Sequence, residues 1–201
     1  MKFTSIFLLV ASLLVGGGSP LFSEETLEPQ GFSFSYFANP LPQAAHSITS
    51  IAWDGSSFVL EDGSVWLVRE DHREEVRLWW EGDIVYIAPN RQWSGCSPWV
   101  FLNESRRVFV YARSMAPPDY YNPYTRYIVA IDYDYDQIRL NDGSLWNISW
   151  ADDQVVNRWE PNDTLLIGLN SGGDNRYPFI LINCSSTSFG KEEHAAAQLV
   201  Y

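Results

Sequence analysis

The chain repeats itself at an offset of 80 residues, and this duplication constrains its fold more than any other feature of the sequence. Between residues 48 and 103, fifteen positions are identical to the positions 80 residues later, without a gap. The clearest match is the D-G-S-x-W run of residues 62–66, which recurs at residues 142–146. A period of this length is too long for a solenoid repeat, so each copy is expected to be a small domain or half of one.

Each copy has the pattern of short antiparallel strands joined by tight turns. Apolar and polar residues alternate around Asp62-Gly63, and the same pattern surrounds Asp142-Gly143. An Asp-Gly pair between two such runs favours a two-residue hairpin in which both turn residues take positive φ. Further strands are expected at residues 84–88, 98–103 and 108–112 of the first copy, and at 164–168 and 197–201 of the second.

These elements predict an all-β protein made of two tandem copies of a small barrel-like or sandwich-like module, each with five to six short antiparallel strands. Val76 and Trp79 are three residues apart, which breaks the period of two and indicates a β-bulge or one helical turn. The repeated tryptophans are expected to fill the cores, because one large ring occupies much of a small barrel. They lie at positions 66, 79, 146 and 159.

The N-terminus has the features of a secretory signal peptide. Lys2 precedes an apolar run at residues 6–15, and this run is too short to span a bilayer as a helix. We therefore expect an exported protein, in the periplasm or on the extracellular or envelope surface, with no transmembrane helix in its mature part. The expected organisation is a signal peptide at 1–23, a lead-in segment at 24–46, copy one at 47–113, a Pro/Tyr-rich extended linker at 114–126 and copy two at 127–201.

The net charge of −12 limits the classes of partner. Without Lys2 the charge is −13, because one positive charge is removed from −12, and Lys191 is then the only lysine. A chain this acidic is repelled by nucleic acid and by anionic lipid surfaces. No nucleic-acid partner is expected, and partners should be neutral or basic.

The sequence shows no motif that predicts catalysis. It has no G-x-S-x-G elbow, and His46, His72 and His194 lack metal-ligand spacing. The D-Y-D-Y-D run at residues 132–136 would place three carboxylates on one face of a strand, which suits calcium, but the matching residues 52–56 resemble a hairpin turn. We therefore expect a non-enzymatic protein with no catalytic residue, metal site or cofactor, while the paired carboxylates of a glycosidase stay open.

Features present in one copy only are the candidates for a specific function. Cys96 and Cys184 occupy non-equivalent positions, and in an oxidising compartment they can form one disulfide between the copies. Unrepeated aromatic rings can stack on sugars or pack on a protein, or they can cover the ends of the barrels. The candidate binding surface comprises Trp80, Arg91, Trp93, Trp99, Tyr120 and Tyr121.

The repeated pattern resembles small exported bacterial β-modules that occur in tandem and are uncharacterised. The residues that carry the resemblance are the D-G-S-x-W runs, W-x-x-[GN]-D at 79–83 and 159–163, and P-x-x-x-x-N at 98–103 and 178–183. The resemblance covers most of the mature chain. It implies a β-module fold and export, and it carries no known activity and no functional residues.

Three functions are open at this point. The first is a non-catalytic exported or envelope-associated module that binds a protein or surface partner, which the duplication, the acidity and the surplus aromatic residues favour. The second is a glycan- or peptidoglycan-binding module that uses loop aromatics. The third is an enzyme with an unrecognised carboxylate site.

Overall fold

The computed structural model describes residues 41–91, 97–172, 175–188 and 191–200. Over these ranges the chain forms two closed six-stranded antiparallel barrels in tandem. This confirms the predicted all-β fold with two copies of a small barrel. The expected signal peptide and most of the lead-in segment lie outside the described residues, so export stays a prediction.

The first barrel has the strand order β1-β2-β3-β6-β5-β4, and β4 closes it by pairing with β1 at His46 and Ser47. Its strands are β1 (His46–Ile51), β2 (Ser57–Leu60), β3 (Val65–Val68), β4 (Ile84–Pro89), β5 (Trp99–Asn103) and β6 (Val108–Ala116).

The second barrel has the same strand order, β7-β8-β9-β12-β11-β10, with β10 closing onto β7. Its strands are β7 (Arg126–Asp132), β8 (Gln137–Leu140), β9 (Leu145–Ile148), β10 (Thr164–Leu169), β11 (Phe179–Ser188) and β12 (Lys191–Leu199). The last strand therefore begins before the predicted residue 197, because the polar stretch after Asn183 extends the β11–β12 hairpin instead of forming a loop.

The Asp-Gly hairpins form where they were predicted, but with a different turn. Gly63 and Gly143 take positive φ, whereas Asp62 and Asp142 do not. In the first hairpin the Gly63 N–H donates to the Leu60 carbonyl (3.0 Å), which is the geometry of a three-residue loop with glycine in its last position. The Asp62 carboxylate accepts a bond from the Ser64 N–H (2.9 Å) and so holds the aspartate in the turn.

One helical turn breaks the period of two in each copy. The turn is α1 (Arg73–Val76) in the first copy and α2 (Asp153–Val156) in the second, each preceded by a short 3₁₀ turn. The turn brings Trp79 into the core three residues after Val76, as the spacing indicated. All four repeated tryptophans are buried, at positions 66, 79, 146 and 159.

The linker is a folded loop and not the extended connection expected from its prolines. β6 continues to Ala116, and the residues that follow it are bonded to the first Asp-Gly hairpin. The Asp119 N–H donates to the Asp62 carbonyl (2.9 Å), and the Asn122 side-chain amide donates to the Glu61 carbonyl (2.9 Å). These bonds fix the linker against the first barrel, so the second barrel starts from a defined position.

The two barrels share their buried cores. The interior of the second barrel forms one buried cluster with outward-facing residues of β4, β5 and β6: Tyr86, Ala88, Val100, Leu102 and Tyr111. The interior of the first barrel forms another with outward-facing residues of β10 and β11: Leu166, Ile180, Ile182 and Cys184. Each copy therefore covers part of the other, and the buried apolar surface that results stabilises the pair.

The shared cores correct one sequence-based interpretation. Apolar and polar residues were expected to alternate with a period of two along nearly every strand. Strands β5 and β10 are instead buried at every position. A strand that lies between its own barrel and a neighbouring barrel is covered on both faces, and its sequence is then continuously apolar.

The backbones of the two barrels approach closely where β4 meets β10. A Cβ atom added at Gly168 would lie 2.7 Å from the Ile87 carbonyl oxygen and 2.9 Å from Cγ1 of Ile180. The φ of Gly168 is not in the left-handed region, so the requirement for glycine comes from the close approach of the two backbones. The equivalent residue of the first copy is Ala88, so the duplication alone does not explain this glycine.

We expect Gly168→Ala to destabilise the protein by about 1–3 kcal/mol, because the new methyl group must displace a backbone carbonyl in a packed interface. Urea unfolding followed by circular dichroism measures the loss.

Gly172→Ala is the control. A Cβ there would meet the ends of two side chains, Arg91 and Asn170, which can move away. A Gly168→Ala protein as stable as the control would contradict the close approach of β4 and β10.

Candidate functional site

The structure separates the predicted surface residues instead of bringing them together. Trp80 and Tyr121 are exposed, at 71% and 91% of their surface, and Tyr120 is partly exposed. Arg91 is also exposed, with its guanidinium near Gly172 of the second copy. Trp93 lies outside the described residues. These side chains belong to at least two regions, the end of the first barrel and the linker.

Trp99 is buried in the interface between the barrels, and its assignment to a binding surface was wrong. Its side chain is 1% exposed. Its indole N–H donates to Glu192 of β12 (2.9 Å), and its ring packs edge-on against His194 at 5.5 Å. Desolvation of the His194 ring lowers its pKa below the usual value. Trp99 thus holds the two barrels together and is not available to an external partner.

Cys184 is buried in the shared core, and the disulfide expected between it and Cys96 stays a prediction. Its Sγ lies 3.7 Å from the Ile182 carbonyl, and burial raises the pKa of the thiol well above its usual value. Such a thiol is protonated and unreactive. Cys96 lies outside the described residues.

The acidic run at residues 132–136 forms the turn between β7 and β8. Oδ1 of Asp132 accepts bonds from the N–H groups of Asp134 (3.1 Å) and Tyr135 (3.2 Å), so this carboxylate stabilises the turn. Among the described residues, no group of three or more His, Cys, Asp or Glu side chains is placed to hold a metal ion.

One end of the first barrel carries three large apolar side chains in contact with solvent. Trp53 is 90% exposed, Leu78 is 65% exposed and Trp80 is 71% exposed. A Cβ at Gly55 would lie 2.8 Å from Cγ of Arg77, so the β1–β2 turn that holds Trp53 packs against α1 and the residues that follow it. We call these three residues the aromatic end.

The aromatic end has no counterpart in the second copy. The residues equivalent to Trp53, Leu78 and Trp80 are Tyr133, Arg158 and Glu160. There the hydroxyl of Tyr133 donates to the Trp159 carbonyl (3.4 Å), and Arg158 forms an ion pair with Glu193 (2.7 Å). The second barrel also exposes rings in this turn, Tyr133 at 54% and Tyr135 at 74% of their surface, but it carries charged residues where the first barrel exposes Leu78 and Trp80. A comparison of the two copies would have indicated Leu78, which the sequence reasoning did not single out.

The arginines beside the aromatic end are already paired. Arg77 donates to Glu74 (2.9 Å), and Arg106 donates to Asp83 (2.9 Å) while its guanidinium lies 5.2 Å from the centre of the Trp80 ring. The Asn103 amide also donates to Asp83 (2.8 Å), and these bonds hold the pKa of that carboxyl below its usual value. Both guanidinium groups are therefore neutralised by carboxylates at the edge of the aromatic end.

An indole N–H is left without an acceptor at the same end of the first barrel. Trp79 is 3% exposed, and its Nε1 has no hydrogen-bond partner among the described residues. In the second copy the equivalent Trp159 donates to Glu193 (3.2 Å). Val108 takes the place of Glu193, since each lies opposite the equivalent asparagine of the neighbouring strand. The first copy lacks the carboxylate that closes the end of the second.

A second candidate site is a groove of about 340 Å³ between the barrels. It runs beneath the linker, and its lining combines polar side chains with one exposed ring. The lining includes Ser47, Glu61, Tyr124, Arg126, Asn141 and Asp142.

Comparison with protein-family models gave no match, and neither the curated proteins nor the solved structures contained a match. Within the described residues no helix is long and apolar enough to cross a membrane.

We expect Glu193→Val, which installs the residue of the first copy, to destabilise the protein by about 1–3 kcal/mol. The change leaves the buried N–H of Trp159 unpaired and removes both bonds from Arg158 (3.0 and 2.7 Å). Urea unfolding measures the effect.

Glu160→Val is the control, because Glu160 is exposed and directly follows Trp159 in the sequence. It should change the free energy of unfolding by less than about 0.5 kcal/mol. Equal effects of the two substitutions would show that Glu193 does not close the barrel as described.

Proposed function

We propose that this chain is an exported, non-catalytic protein that binds a protein partner through the aromatic end of its first barrel. The observation that carries the proposal is the exposure of Trp53, Leu78 and Trp80 together, where the second copy has Arg158 and Glu160 in place of Leu78 and Trp80. Exposed apolar residues grouped on a folded surface are typical of interaction sites, and tryptophan is among the residues that contribute most to binding.

The duplication strengthens this proposal because it supplies an internal comparison. The second barrel shows that the fold forms with Tyr133, Arg158 and Glu160 at these positions. The apolar residues of the first copy are therefore not required for folding the barrel, and binding is a sufficient reason for their presence.

The charges indicate the chemistry of the partner. The protein carries a net charge of −12, and Arg77 and Arg106 at the aromatic end are neutralised by carboxylates. A partner that presents apolar side chains flanked by lysine or arginine would complement this surface. Export is supported by the N-terminal sequence, which has Lys2 followed by a short apolar run.

We expect Trp53→Ser combined with Trp80→Ser to abolish capture of a specific partner from an envelope extract of the producing cells. Both rings are exposed, so the variant should fold, and loss of two such contacts typically weakens binding by on the order of tenfold or more each. Affinity capture with mass spectrometry identifies the partner, and titration with that purified partner gives the change in Kd.

The matched control is Trp150→Ser, since Trp150 is 73% exposed but belongs to the second copy. A partner captured equally by the double variant, or lost equally from the control, would contradict a role for the aromatic end.

The groove between the barrels supports a second candidate, a saccharide-binding site. The Tyr124 ring is exposed at its edge, and the carboxylates, amide and guanidinium of the lining match the hydroxyl groups of a sugar. The groove lies outside the aromatic end, so the two candidates are tested separately.

For this candidate we expect Tyr124→Ala to remove the binding of soluble peptidoglycan fragments or neutral oligosaccharides in isothermal titration calorimetry, because the ring supplies the stacking surface. Tyr121→Ala, which removes an exposed linker ring outside the groove lining, should leave binding unchanged. Absence of binding to the wild-type protein would eliminate the saccharide site.

A further inference from the structure

A buried histidine joins the two barrels. His46 begins β1 and is 2% exposed. Its Nδ1 lies 2.9 Å from Oε1 of Glu61, on the hairpin loop of the same barrel. Its Nε2 lies 2.9 Å from the Ile167 carbonyl oxygen of β10, in the other barrel. Strand β10 pairs with β7 at Thr164 and Leu165, so the Ile167 carbonyl lies past the end of that pairing.

Both neighbours of the ring are hydrogen-bond acceptors. A carboxylate and a carbonyl oxygen can only accept, so both ring nitrogens must carry hydrogen to form both bonds. Neutral imidazole has one N–H and satisfies one of the two. The geometry therefore matches the imidazolium form, and loss of a proton breaks either the bond to Glu61 or the bond between the barrels.

The surroundings are arranged for a positive charge. The Glu61 carboxylate also accepts the Ser47 N–H (2.7 Å), and its ionised form is favoured because the bond and charge of His46 lower its pKa although burial opposes this. Asp62 is the second carboxylate that acts on the ring, and β10 contributes a backbone carbonyl. Arg126 and Asp142 of the second barrel line the same groove as Glu61 and are paired with each other (3.0 Å).

The second copy does not repeat this pair. Arg126 and Asn141 are equivalent to His46 and Glu61. Arg126 instead donates to Asp142 (3.0 Å), and Asn141 accepts the Tyr127 N–H (3.0 Å) in place of the bond between Glu61 and Ser47. The titratable contact between the barrels is thus specific to the first copy and is not required by the fold of the module.

We infer that His46 and Glu61 form a proton-controlled latch between the barrels, closed when the imidazole is protonated and weakened when it loses its proton. The latch acts where β4 and β10 meet, beside the groove, and the inference does not depend on the proposed function.

The direction of the pH dependence follows from the pKa of His46. Burial lowers this pKa, but the bond to Glu61 and the charges of Glu61 and Asp62 outweigh burial and raise it above the ordinary value of 6.5. The stabilisation is therefore fully present below about pH 6.5 and is lost as the pH rises through the higher pKa of the folded protein. Burial lowers the pKa values of His194 and His72, so these residues contribute in the opposite direction.

The test is hydrogen exchange with mass spectrometry on the full chain, between pH 5.5 and 8.5, corrected for the intrinsic pH dependence of exchange. We expect the backbone amides of β4 and β10 to lose protection against hydrogen exchange as the pH rises. The loss in the protection factor should be about tenfold for each pH unit by which folding raises the pKa of His46. In His46→Gln the same peptides should show no such transition, because the glutamine amide does not titrate.

Two further variants keep the inference falsifiable. His194→Gln alters the histidine that packs on Trp99 between the barrels and should retain the transition of β4 and β10. Glu61→Gln keeps the side-chain shape but removes the charge that favours the imidazolium, so the transition should move to lower pH. This variant tests the latch independently of whether His46→Gln folds. A transition that is unchanged in His46→Gln or in Glu61→Gln, or protection that rises with pH in the wild type, would overturn the latch.

Discussion

The packing of β4 against β10 is the contact on which the rest of the structure depends. The backbones approach so closely there that Gly168 has no room for a side chain beside the Ile87 carbonyl. This approach lets outward-facing residues of each barrel enter the buried cluster of the other, and it brings His46 within 2.9 Å of the Ile167 carbonyl. Two barrels that are each small and hard to stabilise alone thus each complete their buried core with residues of the other.

Divergence after duplication has produced different changes inside and outside this shared interior. The tryptophans and Asp-Gly turns are kept in both copies because each copy must fold. At the joint the copies differ: Arg126 and Asn141 of the second copy stand where the first has His46 and Glu61. At the far end of the first barrel, three apolar side chains replace Tyr133, Arg158 and Glu160, and Val108 replaces Glu193. The proposed function rests on the three exposed apolar residues of this end, because the fold of the second barrel forms without them.

Much of the fold was predictable because local signals and the repeat agreed. The hairpins at Gly63 and Gly143, the helical turn before Trp79 and the burial of the repeated tryptophans all follow from local pattern. The site was less predictable. Trp80 and Tyr121 were expected to be exposed and are, but Trp99 is buried, because it packs in the core of the first barrel with Phe101 and its indole N–H bonds to Glu192 of the other copy. The folded linker was missed because Asp119 and Asn122 bond to the first hairpin, some 60 residues away in the chain.

The sequence by itself determined the two β-modules, their turns and the residues that fill each core, because these depend on alternation, turn chemistry and repetition over short distances. Tertiary structure alone decided how the two copies meet: which strands are buried on both faces, why Gly168 must lack a side chain, and why His46 bonds across the joint. These features depend on distances between residues about 80 to 120 positions apart, and no local pattern in a single sequence encodes such distances. The duplication that opened the sequence thus specifies two barrels, and the packing between them makes the copies unequal.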